Sequence, residues 1–178
     1  MRSERFVRDL AVARIGTTFN FYRDGEGADV RRARLEDYLR SRDGACLLLV
    51  GEAAGYRGAR VSGLPFTSER QVSGAPPGEA TATIVQRVLA ELGLTDEVLF
   101  WNVVPTHPHL PGRPGSNRPP TRGEAAEGAR FLAELARGRR VVAVGRIAQR
   151  LLGAPYVRHP SHGGAAAFRD GLLDYASA

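Results

Sequence analysis

Two histidines, a serine and two glycines follow a short apolar run near the end of the chain, in the stretch VRHPSHGG (157–164). Pro160 disfavours a helix there, so the chain passes from a predicted strand directly into a loop. An imidazole can donate or accept a hydrogen bond near neutral pH. His159, Ser161 and His162 are therefore candidates for chemistry or for binding, and they need partners from elsewhere in the chain.

Three further side chains stand out because of their positions beside or within apolar runs. Glu52 follows the run CLLLV at the start of a predicted turn, where it either orients a water or is a solvated residue favoured by a helix dipole. Asn102 interrupts a predicted strand of large apolar residues, and its planar amide has the donor and acceptor needed to bind a pyrimidine edge. The alternative for Asn102 is an amide satisfied by a turn. Phe66 ends a Gly-rich loop, where it either joins the core or stacks on a flat ring.

The histidine spacing also raises the possibility of a metal site. His107 and His109 form H-x-H, and His159 and His162 form H-x-x-H, spacings that zinc sites use. No cysteine or acidic ligand accompanies them, so a metal-dependent hydrolase remains an alternative and we expect neither a metal nor a cofactor. Ser161 lacks the G-x-S-x-G surroundings of a hydrolase nucleophile.

The composition sets limits on the class of protein. A chain of 178 residues suits one domain, and its net charge of +6 favours a polyanionic partner such as nucleic acid. All 25 basic residues are Arg, so only the N-terminal amine is available to form a Schiff base. The single cysteine, Cys46, excludes disulfide scaffolds and cysteine-ligated clusters. There is no membrane-length apolar run and no apolar signal segment, so we expect a cytoplasmic monomer with no membrane partner.

Apolar patterning predicts alternating helices and strands. Strands are predicted at 46–50, 98–104, 140–144 and 155–159. Helices are predicted at 29–42, 78–92, 121–137, 147–152 and 164–175. Gly93 should end the second of these helices, and Thr121 with Glu124 should form a capping box at the start of the third.

This alternation predicts an α/β fold. We expect a three-layer α/β/α sandwich with a central, mainly parallel four-stranded sheet, and a helical region at 1–44 that packs on the sheet. Ligands bind beyond the carboxyl ends of the strands in such sheets, and unusual loops follow three of these strands. One of them, the Pro- and Gly-rich segment 105–120, contains Arg113, Asn117 and Arg118. Such a loop could follow phosphates, the alternative being a flexible surface loop.

Taken in order, these loops resemble the motifs of the uracil-DNA glycosylase superfamily, nearest the branch whose usual members carry an iron–sulfur cluster. GEAAGYRGARVSGLPF (51–66) is similar to that branch's G-E-A-P-G turn and G-x-P-F loop. NVVPTHPH and NRPPT are similar to its N-V-V strand end and N-R-x-P-T motif, and HPS (159–161) to its last motif. Ala54 replaces the proline, the cluster cysteines are absent, and PTHPHLPGRPGS has no close equivalent. The resemblance therefore implies a divergent member without a cluster.

The resemblance implies a monofunctional glycosylase that flips uracil out of single- or double-stranded DNA and hydrolyses its N-glycosidic bond. It implies that Phe66 stacks on the base and that Asn102 hydrogen-bonds its edge. It also implies that His159 stabilises the charge on the departing base, and that Glu52 orients the water or stabilises the cationic sugar.

The remaining residues of the expected site fall into two groups. Those expected at the base are Gly51, Ala53 and Ser161, and those expected at the DNA are Arg113, Asn117, Arg118, Arg158 and His162. Because no large apolar side chain follows HPS, we expect single-stranded DNA to be cut at least as well as duplex. Two alternatives stay open: a glycosylase for hypoxanthine, xanthine or mismatched thymine, and an inactive nucleic-acid-binding relative.

Overall fold

The computed structural model describes residues 3–176. Its helices are α1 (Ser3–Val12), α2 (Ala28–Ser41), α3 (Ala59–Ser62), α4 (Glu69–Ser73), α5 (Ala80–Leu92), α6 (Arg122–Ala136), α7 (Arg146–Leu152) and α8 (Ala165–Ala176). Its strands are β1 (Leu47–Ala53), β2 (Val98–Val104), β3 (Arg140–Val144) and β4 (Tyr156–Val157). None of the helices in this part of the chain is both long enough and apolar enough to cross a membrane.

The four strands form one parallel sheet in the order β2-β1-β3-β4. In the register of the central pair, Gly51 lies beside Asn102 and Ala53 beside Val104. Because all the strands run the same way, their carboxyl ends and the loops that follow them meet at one edge. The predicted α/β sandwich with a parallel four-stranded sheet is confirmed.

The sheet is covered on both faces, because residues 47–51 of β1 are all buried and successive side chains of a strand point to opposite faces. Leu48 and Val50 pack in one apolar cluster with residues of α1, α2 and α6. Leu47 and Leu49 pack in a second cluster with residues of α5 and α8. The sheet is therefore the middle of three layers and gives the loops at its edge a rigid base.

Two boundaries differ from the sequence prediction in ways that matter for function. β1 continues through Ala53, so Glu52 lies inside the strand and not in a turn after it. The reason is the ladder with β2, which holds Gly51 against Asn102. The helix predicted at 78–92 begins at Ala80, and the short helices α3 and α4 were not predicted because they have too few turns to show a helical period.

The predictions made for two helix ends are confirmed. Thr121 and Glu124 form the predicted capping box at the start of α6. Gly93 adopts a left-handed conformation with φ 67° and ends α5 as predicted. Both signals depend on local backbone geometry, which neighbouring residues largely determine.

Candidate active site

A cavity of about 550 Å³ opens at the carboxyl edge of the sheet. It collects side chains that are far apart in the sequence. The predicted site residues that line it are Glu52, Ala53, Phe66, Asn102, Asn117, Arg118, His159, Ser161 and His162. Gly51 is not part of the lining but lies against Phe66 and Asn102. Arg113 and Arg158 are exposed outside the cavity.

Asn102 presents an available amide to the cavity. The residue is only 5% exposed, yet its side chain makes no hydrogen bond with any other residue between 3 and 176. Gly51 faces it, and a Cβ added there would lie 2.7 Å from the Asn102 Oδ1. A buried amide without a partner is costly, so its position favours a ligand that supplies the missing hydrogen bonds.

Phe66 is held in a fixed orientation beside Asn102. Its backbone has a positive φ of 51°, which is rare for a bulky residue and is maintained only where the surroundings impose it. Its ring packs on Phe100 with centroids 4.9 Å apart, and a Cβ at Gly51 would lie 2.6 Å from the Phe66 Cζ. The Gln86 amide donates to the Phe66 carbonyl at 3.3 Å. The ring thus forms a rigid apolar wall on which a flat base can stack.

His159 is held as a neutral hydrogen-bond donor. The backbone N–H of Ser161 donates to the His159 Nδ1 at 3.2 Å, so the ring proton belongs on Nε2. The Ser161 hydroxyl lies 2.8 Å from the same Nδ1. Burial lowers the pKa of His159, and the positive charge of Arg158 and the proximity of His162 lower it further. The imidazole therefore stays neutral at physiological pH with a donor N–H available to the cavity.

Glu52 brings a half-buried carboxylate to the same cavity. Burial raises its pKa, and the charge of Arg150 offsets part of that effect. In the described part of the chain its carboxylate has no hydrogen bond or ion pair. It is thus free to hold a water molecule or to face a developing positive charge.

Among the lining residues that the sequence prediction missed are two pairs from other parts of the chain. Glu79 and Thr81 reach it from the start of α5, and Gly145 and Arg146 reach it from the turn after β3. One feature of the sequence could have indicated Glu79. It occupies the N-cap of α5, where Ser, Thr, Asp and Asn are preferred over Glu. The turn after β3 gave no comparable signal.

The segment 105–120 is fixed near the cavity, unlike a flexible loop. His107 and Phe19 exchange two backbone hydrogen bonds of 2.9 and 3.0 Å. The buried His107 ring lies with Nδ1 2.9 Å from the Ala54 carbonyl, to which it donates. Further along, the Tyr56 N–H donates to the Asn117 Oδ1 at 2.9 Å. The segment is therefore tied to the loop after β1 and to the chain before α2.

Arg118 has a different environment from the one predicted. Its guanidinium donates to both carboxylate oxygens of Glu124, and also to the carbonyls of His109 and Pro119. These bonds commit Arg118 to fixing the segment against α6, and its contact with DNA stays a prediction. Arg113, Arg158 and His162 are exposed and keep their predicted role open.

The histidines do not assemble a metal site. The His107 and His109 rings stack with centroids 6.0 Å apart, and His107 already uses Nδ1. Across residues 3–176, no group of three or more His, Cys, Asp or Glu side chains is arranged to hold a metal ion. The arrangement at the sheet edge instead combines a stacking ring, an amide, a neutral imidazole and a carboxylate.

Comparisons with known proteins agree with this arrangement. A search of curated proteins finds no match. Among solved structures, that of Pedobacter heparinus SMUG2 matches with a TM-score of 0.69 and 12% identity, covering 99% of this chain and 97% of that chain. At this identity the likeness shows a shared fold. The family model described as "Uracil DNA glycosylase superfamily" matches residues 40–172, well over half of the chain. This match spans every loop that lines the cavity, and the chain therefore belongs to the uracil DNA glycosylase superfamily.

Proposed function

We propose that the protein is a monofunctional DNA glycosylase that hydrolyses the N-glycosidic bond of uracil in DNA. Membership of the superfamily supports glycosylase chemistry on DNA. The observation that favours uracil is the amide of Asn102, which has no partner among the described residues and lines one cavity with Phe66 and His159. We further expect residues 1–178 to form one glycosylase-like domain that acts as a cytoplasmic monomer.

Base recognition follows from the chemistry of Asn102 and Phe66. An enzyme reaches a base by turning it out of the stack, at a cost of a few kcal/mol. Stacking on an aromatic ring returns about 1–3 kcal/mol of this, and Phe66 supplies that ring. The Asn102 amide accepts from the uracil N3–H and donates to O4. Cytosine has an acceptor and an amine at these positions, so it presents the reverse pattern and is rejected.

Bond cleavage separates charge, and the cavity has a group for each sign. The C1′–N1 bond breaks and its electron pair leaves with the base. The Nε2–H of His159 donates to the base carbonyl where negative charge grows, an effect typically worth about 3–4 kcal/mol. A water held by Glu52 forms the new bond to C1′, and its proton passes to the carboxylate and then to solvent.

The absence of lysine indicates that the reaction stops at the abasic site. Strand scission by glycosylases typically needs an amine that forms a Schiff base with the sugar. The chain has no lysine side chain. Hydrolysis by water leaves the sugar–phosphate backbone intact, which is the product we propose.

The first test is release of uracil from a single-stranded oligonucleotide with one central uracil. Strand breaks are measured with and without alkali, for the wild type, His159→Ala and His109→Ala. His109 lies outside the cavity lining and serves as the matched control. We expect alkali-dependent breaks with the wild type and the control, and a loss of about 100-fold or more with His159→Ala.

Other outcomes separate the alternatives. Breaks without alkali, in a preparation free of nuclease, would show that the enzyme is not monofunctional. Absence of uracil release leads to oligonucleotides that carry hypoxanthine, xanthine or mismatched thymine. Binding of DNA without release of any base would identify an inactive nucleic-acid-binding relative.

A further inference from the structure

A second carboxylate, that of Glu79, lines the same cavity as Glu52. Its side chain is half-buried, and no hydrogen bond or ion pair joins its carboxylate to another of the described residues. Burial raises its pKa. Two carboxylates without bonded partners in one cavity repel each other, so keeping both of them has an electrostatic cost.

Capping of α5 does not account for the carboxylate of Glu79. The residue is the N-cap of α5, but its side chain makes no capping hydrogen bond. The carboxylate instead leans over the loop after β1, where a Cβ on Gly58 would overlap its Oε2. A Cβ on Gly55 would lie 3.9 Å from its Oε1. The two glycines thus leave room for the carboxylate beside the cavity.

Among residues 3–176 no arginine forms an ion pair with either carboxylate, although the charge of Arg150 acts on Glu52. Arg118 is bound to Glu124. Arg146 lies over the Tyr156 ring at 4.4 Å and donates to Gln149. Ion pairs between these arginines and Glu52 or Glu79 are absent from the described residues. The carboxylates of Glu52 and Glu79 therefore line the cavity without a bonded cation among the residues described.

We propose that Glu79 is a second active-site carboxylate, which faces the deoxyribose and stabilises the positive charge that forms on the sugar as the base leaves. This inference rests on the proposed glycosylase function. In this role Glu79 acts as an ionised carboxylate and takes no proton from the water, whereas Glu52 holds the water. Negative charge near the sugar weakens the binding of phosphates but favours a cationic transition state, so its benefit appears in the chemical step.

The test separates the chemical step from binding. Single-turnover release of uracil is measured for the wild type, Glu79→Gln, Glu52→Gln and the double variant. Glu91→Gln, an exposed residue of the same helix, is the control. Binding is measured with DNA that carries 2′-fluoro-2′-deoxyuridine, which resists cleavage because fluorine destabilises the sugar cation. Thermal unfolding is recorded for every variant.

We expect Glu79→Gln to lower the rate of release by roughly ten- to a hundredfold, from the loss of one nearby charge. Binding of the fluorinated DNA should stay the same or become tighter, because the substitution removes a negative charge that repels the nearby phosphates. The double variant should be slower than either single variant, and Glu91→Gln should match the wild type.

Two results would overturn the inference. In the first, Glu79→Gln releases uracil at the wild-type rate. In the second, release, binding and melting temperature all fall together, which would assign Glu79 to structure alone. If the wild type releases another base and not uracil, the specificity proposed above fails while the same variants still test Glu79 on that base. If the wild type releases no base, both proposals fail.

Discussion

At the scale of single residues, burial affects the two principal groups of the cavity in opposite directions. It lowers the pKa of His159 and raises the pKa of Glu52, since it disfavours the charged form of each. The proposed chemistry uses a neutral imidazole and an ionised carboxylate. Burial therefore supports the state that His159 needs and opposes the one that Glu52 needs.

The pH dependence of base release should show this opposition. His159 loses its neutral form only as the pH falls through a pKa below its ordinary value of 6.5. Glu52 loses its charge as the pH falls through a pKa above its ordinary value of 4.5. Both changes act in acid, so the single-turnover rate should be constant near neutrality and should fall with decreasing pH.

The variant Glu52→Gln tests whether protonation of Glu52 causes the loss of rate in acid. The variant should be slower at neutral pH and should show a weaker acid dependence, governed by His159 and by Glu79 in the same cavity. Rates measured between pH 4 and 8, with unfolding followed at each pH, provide the comparison. A rate that increases towards acid would contradict the assignment.

At the scale of secondary-structure elements, Glu124 joins α6 to the segment 105–120. It is 2% exposed, completes the capping box with Thr121 and binds the guanidinium of Arg118. Its hydrogen bonds with Arg118 and Thr121 lower its pKa, although burial acts to raise it. The position of the segment beside the cavity therefore depends on this buried carboxylate as well as on the hydrogen bonds of His107 and Asn117.

Replacing that carboxylate should destabilise the protein strongly. We expect Glu124→Ala to lower the free energy of unfolding by about 3–5 kcal/mol, because it leaves Arg118 partly buried without its partner and removes a cap. Urea denaturation gives the measurement. Arg113→Ala, an exposed change in the same segment, is the control and should stay within about 0.5 kcal/mol of the wild type. Equal effects of the two variants would show that the Glu124 contacts do not anchor the segment.

At the scale of the whole molecule, a net charge of +6 surrounds a cavity that contains carboxylates. In the proposed mechanism the positive charge attracts DNA over a distance, and the carboxylates act on the sugar that enters the cavity. Exposed arginines such as Arg113 and Arg158 are suited to the first task, whereas Arg118 is occupied inside the protein. Affinity and chemistry are thus assigned to different parts of the surface.

The dependence of DNA binding on salt should distinguish these arginines. Arg113→Ala should weaken binding to all sequences alike and reduce the slope of log K against log salt concentration by about 1. The rate of base release at saturating DNA should not change. Fluorescence anisotropy over a salt series gives the slope, and a slope equal to that of the wild type would remove Arg113 from the DNA interface.

The sequence was most informative where the determinants are local. The strand at 98–104 was predicted with its observed bounds, because its apolar run is interrupted only by Asn102 and is followed by Pro105. The capping box of Thr121 and Glu124 was predicted because its two residues are three positions apart. Ordered motifs also predicted one site for Asn102, Phe66 and His159, and all three line the same cavity.

Tertiary structure decided what depends on contacts between distant segments. The ladder with β2 extends β1 through Glu52. The missing side chain of Gly58 leaves room for the Glu79 carboxylate beside the cavity. Arg118 and Glu124 are close in sequence, but burial fixed the ion pair that occupies Arg118. By itself the sequence thus determined the α/β fold and nine of the residues that line the cavity at the sheet edge, through local patterns and their order. Which charges there are neutralised and which face the cavity was decided by packing, because it depends on burial and on neighbours that local patterns do not specify.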